Sequence, residues 1–174
     1  MTMSSELRVD RILPVDGAPT GGGGSVIQVV TATKTDAFTT TTVLNSSSDV
    51  TGLSINITPK FATSKIMICS MISAFVAKTS SYNAMGLLFL VKNSTRVAST
   101  VMKCRIDNAY SSNIIQTGAT CNFMYLDSPG TTSSVNYHIE AAAWATNTTV
   151  YINDQAGGSA YDEVSTLTAM EISA

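Results

Sequence analysis

Charge is what this chain has least of. Lys, Arg, Asp and Glu make up 13% of the residues, about half of the ~25% usual in a soluble domain. The basic residues are scattered and the formal net charge is −2. No basic patch exists to neutralise a phosphate backbone or an anionic bilayer, so neither nucleic acid nor membrane is an expected partner. Histidine is almost missing as well, with His138 alone in the chain. A Ser–His–Asp triad would have to be built on that residue, which sits among outward polar positions, and no GxSxG motif accompanies it. The run Gly21–Gly24 followed by Ser25 lacks the lysine of a phosphate-binding loop. Acids are few and dispersed. Asp162 and Glu163 are adjacent, which on a strand sends them to opposite faces, and nothing favours a glycosidase pair among Asp107, Asp127, Asp154 and Glu163. The acids between Asp154 and Glu163 do not have EF-hand spacing. No enzymatic activity, metal or cofactor is therefore expected.

Cysteine is also sparse, at Cys69, Cys104 and Cys121. The count is odd, the spacings are wide and there is no CxxC pair, which argues against zinc and for reduced, buried, small apolar side chains. Long hydrophobic runs are absent. The stretch from Met85 to Val91 is far shorter than the ~20 residues a membrane helix needs. The N-terminal MTMSSELRVDRILPVDG contains acids and no apolar core, so it is not expected to be a secretory signal.

What is present is apolar and hydroxyl-rich. Hydrophobic residues reach 44%, which excludes a disordered chain, and Ser and Thr supply roughly a quarter of the sequence. From Ser25 onward the apolar period is two. SVIQVVTAT alternates, DAFTTTTVL is a Thr-rich β-forming run anchored by Phe38, and GLSINITPK points Leu53, Ile55 and Ile57 to one side. Further strands are expected in MGLLFLVK, RVASTVMKCRI, ATCNFMYL, SSVNYHIEAAAW, TTVYIN and VSTLTAMEI, separated by Asn, Ser, Asp, Gly or Pro clusters. The alanine-rich run from Ile139 is read as strand because Tyr137, Ile139 and Ala141 alternate with Asn136, His138 and Glu140. The expected fold is all-β, a jelly-roll-like antiparallel β-sandwich of residues 25–174 with an extended N-terminal arm, 1–24.

SKIMICSMISAFVAK is the exception to one-sided strands. Ile66, Ile68, Ile72 and Val76 share one face, while Met67, Cys69, Met71 and Phe75 share the other. A strand apolar on both faces needs cover on both. Loops could supply it, but methionine-rich faces suit subunit contacts, and so few charges do little to keep copies apart. Met67, Cys69, Met71 and Phe75 are the candidate oligomer interface. In the arm, Leu7, Val9 and Ile12, which with Leu13 are the candidate docking residues, alternate around Arg8 and Asp10 ahead of the glycine run. This is either a flexible linker or a hinge that lets the arm dock on another chain. Tyr82, Asn83, Asn108, Tyr110, Trp144 and Tyr161 fall in or beside expected loops. They are candidate receptor contacts, or ordinary packed loop residues.

Four stretches carry a resemblance: LRVDRILPVDGAPTGGGG, DVTGLSINITPKFATSKIMI, YLDSPGTTSSVNYHI and STLTAMEISA. In this order they resemble small tail-fibre-like or structural virion proteins of tailed bacteriophages, especially of marine and cyanobacterial hosts. The resemblance spans nearly the whole chain and implies a homotrimeric β-sandwich, made in the host cytoplasm, whose N-terminal arm joins other virion proteins. It implies attachment to a host-surface glycan or protein, with capsid decoration (a cement or head-fibre role) as the alternative. It carries over no catalytic residue.

Overall fold

The computed structural model describes residues 24–78, 84–97, 104–108, 115–154 and 163–173. Among these residues, eleven strands and one short 3-10 turn (Leu44–Ser46) make up the regular structure, with no α-helix. The strands form two antiparallel sheets in a sandwich, the all-β architecture that the alternation predicts.

The first sheet is built on β4 (Lys65–Lys78). One edge of β4 pairs with β8 (Ile115–Asp127) along its whole length, from Ile66↔Asp127 to Lys78↔Ile115. The other edge is shared: β11 (Ser165–Ile172) takes the first half of β4 and β10 (Thr148–Ile152) the second. β1 (Val26–Lys34) then flanks β11, and β2 (Phe38–Thr40) flanks β10. A ladder that changes partner leaves backbone groups to satisfy at the gap, and a polar knot does so. Ser73 N donates to Ser165 Oγ (3.0 Å), Asn153 N donates to Ser73 O (3.0 Å), and Ser165 Oγ donates to Asn153 Oδ1 (2.6 Å). Asn153 Nδ2 reaches on to Lys34 O (2.8 Å), and Ser73 Oγ donates to Glu163.

The second sheet runs β3 (Ser48–Ile57), β9 (Val135–Ala143), β5 (Ala84–Lys92), with β7 (Cys104–Asn108) and β6 (Thr95–Arg96) on successive parts of the far edge of β5. Between Asp49 and Ser54 the β3–β9 register shifts. Gly52, at φ +87°, takes the left-handed backbone this bulge requires.

Between the sheets, Ile66, Ile68, Ile72, Ala74 and Val76 of β4 are fully buried against Leu53, Ile57, Leu88, Leu90, Val135 and Ile139. Tyr137 is fully buried too. Its hydroxyl donates to Asp127 Oδ2 (2.5 Å), and Lys92 Nζ lies 2.6 Å from the same oxygen. Burial and the neighbouring carboxylate drive the Tyr137 hydroxyl well above its ordinary pKa. Strand β5 is apolar on both faces, and its own chain covers the outer one. Leu87, Phe89 and Val91 cluster with Ala142 under Leu44 of the 3-10 turn, and the Arg96 guanidinium stacks 4.0 Å from the Phe89 ring centroid.

Several local expectations change. The run DAFTTTTVL is a strand only over Phe38–Thr40, then gives way to the 3-10 turn. The stretch RVASTVMKCRI contributes two separate strands, β6 and β7, rather than one. In β1 a register shift between Val26 and Gln28 leaves Val26 exposed while Val30 packs on the core, so they do not share an environment. The cysteines are not all reduced: Cys121 is disulfide-bonded, and Cys69 is free. Wide, odd spacing hides such a bond because strand pairing, not sequence distance, brings thiols together. Asn93 and Asn147, which head Asn-x-Ser/Thr triplets, both have positive φ in turns (54° and 65°), a backbone role that asparagine tolerates.

Candidate interaction surface

Register places the outward residues of the first sheet in rows. Val29 of β1 stands beside Met170 of β11, Met170 beside Met67 of β4, and Met67 beside Leu126 of β8. The next row is Thr31, Thr168, Cys69 and Met124, and the one after it Thr33, Thr166, Met71 and Asn122. Further along, Phe75 stands between Tyr151 of β10 and Gly118 of β8. Gly118 is required there, because a Cβ would overlap Cε1 and Cδ1 of the Phe75 ring. None of these residues carries a formal charge at neutral pH.

The face is open in the single chain. Val29 is 57% exposed, Met71 47%, Met124 74% and Leu126 45%, while Met67, Cys69, Phe75 and Met170 are half-buried by their neighbours. From Met67 to Phe75 the stripe is about 27 Å long, and its four strands span about 14 Å between axes. It therefore covers about 400 Å² of uncharged surface, in which apolar side chains are interleaved with threonines. A row of unopposed apolar side chains beside the edge strand β8 lacks the lysines and prolines that usually blunt such edges.

Met67, Cys69, Met71 and Phe75 thus come together on one surface. The sequence pattern does not reveal Val29, Met170, Met124 and Leu126 as their companions, because cross-strand register is set by the fold. Of the other candidates, only Asn108 and Trp144 fall among the described residues. Leu7, Val9, Ile12 and Leu13 lie outside the described residues, as do Tyr82, Asn83, Tyr110 and Tyr161. Asn108 ends β7 opposite Ala84. Trp144 follows β9 and is 51% exposed, with its amide donating to Met85 O (2.8 Å). His138, expected as an exposed strand residue, is half-buried and bonded to Asn136.

No protein-family description matches the chain, and no curated protein does. Among solved structures, similar chains include infectious bursal disease virus of the Gx strain, at 15% identity and TM-score 0.36, covering 95% of this chain and 44% of that one. The T13 particle of the same virus gives 15% identity and TM-score 0.36, covering 86% and 38%. Its VP2 subviral particle gives 15% identity and TM-score 0.29, covering 93% and 43%. This chain spans less than half the length of each, and likenesses this distant carry no functional argument.

Proposed function

We propose that the protein is a non-catalytic structural component of a virion, and that the outward face of its first sheet packs against further copies of the same chain. The observation that carries this reading is the charge-free row Val29–Met170–Met67–Leu126, continued by Cys69, Met124, Met71 and Phe75. The second apolar face of β5 is covered from within the chain, whereas that of β4 is left exposed. At about 400 Å² the stripe is smaller than the ~800 Å² per partner of a standard interface, so the adjoining edge of β8 belongs to the contact as well.

The resemblance to tailed-phage proteins gives the assembly its setting: a trimeric fibre or spike that meets the host surface, its arm held by other virion proteins. Capsid decoration is the second reading, in which the same arm and glycine run would hold the sandwich on a head lattice. Cys69 provides the test of the interface. It is free and half-buried on the proposed contact face, so a thiol reagent labels it slowly in the assembled protein and quickly in dissociated chains. Equal labelling rates across a dilution series that separates the copies reject the interface. Imaging of intact particles then divides the two roles, since density on the head lattice removes the fibre and density at the tail removes decoration.

A further inference from the structure

On the outward face of the second sheet we propose a binding site for a divalent transition-metal ion of the zinc type, formed by Asp49, His138 and Glu140. One ligand atom from each of the three lies within 4.8 Å of the others. Asp49 is directly opposite Glu140 across the β3–β9 ladder, and His138 lies two residues away on the same face of β9. The register shift after Asp49 fixes this grouping. A regular β3 would continue in step from Asp49, whereas the bulge sets Ser54 opposite His138.

Two of the three ligands are held by partners of their own. Asn136 Nδ2 donates to Ile55 O (3.2 Å) and to Asn56 Oδ1 (3.0 Å), which leaves Asn136 Oδ1 as the acceptor. That oxygen is 2.8 Å from His138 Nδ1, so Nδ1 carries the proton and the lone pair of neutral imidazole is on Nε2. Nε2 in turn faces Asp49 Oδ1 at 3.5 Å. That 3.5 Å approach is bridged either by a proton on Nε2, which makes a histidine–aspartate ion pair, or by a cation held between the two atoms. Glu140 is fixed through one oxygen: its Oε2 accepts from Arg96 Nε (3.0 Å) and from Ser47 Oγ (2.5 Å). Arg96 is itself anchored by Nη2 on Leu44 O and Ser47 Oγ and by its stack on Phe89. Its charge is thereby committed to Oε2.

Fixed ligands with hydrogen-bonded outer partners are the usual construction of a metal site. Donors bound at about 2.1 Å to a tetrahedral ion sit about 3.4 Å apart, close to the 3.5 Å separation of Nε2 and Oδ1. Asp49, whose side chain is 75% exposed, can rotate to close the remaining gap. One imidazole with two carboxylates selects zinc, cobalt or nickel over magnesium and calcium, which prefer oxygen alone. Three protein donors leave one position for water or for a group from a neighbouring molecule.

The test uses the full chain after treatment with a chelator. Zinc chloride is titrated in while the imidazole resonances are followed by NMR. His138 is the one histidine present, so the signal reports this position alone. Saturation of the shift at one ion per chain, with no movement from magnesium chloride, is the expected result. Calorimetry on Asp49→Asn and on His138→Gln should show affinity lowered by at least about tenfold, and Asn136→Ala, which removes the orienting partner together with its amide's bonds to β3, by about tenfold. Imidazole signals that respond to pH but not to zinc reduce the cluster to a histidine–aspartate ion pair and overturn the site. So does a His138→Gln variant that binds zinc as tightly as the parent.

Discussion

Met71→Asp tests whether the exposed face is a contact between copies. Met71 stands between Asn122 and Thr166 in the middle of the outer face of β4 and is 47% exposed in the single chain. Complete burial of a methionine stabilises by about 1.5–3 kcal/mol, so covering the remaining half is worth about 0.7–1.4 kcal/mol per copy. Met71→Ala should therefore weaken association by about three- to tenfold. Aspartate adds the cost of removing a carboxylate from water with no cation in the surrounding rows. That cost is several kcal/mol, enough to lower association by more than about a thousandfold. Folding of the chain itself should change little. A polar residue at a solvated strand position costs up to about 1 kcal/mol, or about 2–4 °C in melting temperature for a domain this size. Sedimentation velocity gives the association state, and circular dichroism gives the melt of the same sample. A Met71→Asp protein that assembles like the parent at micromolar concentration refutes the interface. One that loses its cooperative melt shows that Met71 belongs to the core.

Three further outcomes test the fold. Glu171, fully buried, accepts from Lys60 N (2.7 Å) and Phe61 N (3.4 Å) and, with the Gln28 amide in its satisfied orientation, from that side chain (3.1 Å). Glu171→Ala orphans these donors and should cost about 2–3 kcal/mol in denaturant titration, against a smaller loss for Glu171→Gln. The raised pKa of Tyr137 means that the unfolded chain loses this proton first. The stabilisation it gives is complete below the ordinary tyrosine value of about 10 and is lost as pH climbs above it. Urea midpoints should fall more steeply above that pH in the parent than in Tyr137→Phe, and parallel profiles count against the buried Tyr137–Asp127 bond. Ser70 is buried on the inner side of β4, with its Oγ unpartnered among the described residues. Ser70→Ala should leave stability unchanged or raise it by up to about 1 kcal/mol in a thermal melt.

The parts of this structure legible in the sequence are those written in one strand at a time. The alternation of Ile66, Ile68 and Ile72 with Met67, Cys69 and Met71 gives the two faces of β4 before any neighbour is known. The same reasoning keeps Val135–Ala143 a strand despite its alanines, because Tyr137 and Ile139 alternate with His138 and Glu140. Nothing local says that Met67 will stand between Met170 and Leu126, since such pairs are made by register between distant segments. The grouping of Asp49 with His138 and Glu140 is hidden for the same reason, and the bulge at Gly52 adds a shift that alternation alone does not anticipate. DAFTTTTVL misleads because threonine favours extended backbone without deciding where pairing stops.

The position of β11 sets the order in which the molecule can be completed. It follows every other strand in sequence, yet it lies inside its sheet, wedged between β1 and β4. Emerging from the ribosome, the chain must hold β1 and β4 unjoined until β11 arrives, and such long-range closure is slow. A copy cut short before Ser165 would lack the middle of the very surface on which Met170 and Thr168 stand. Only finished molecules would then present the continuous apolar face, so truncated products should be left out of any assembly that depends on it.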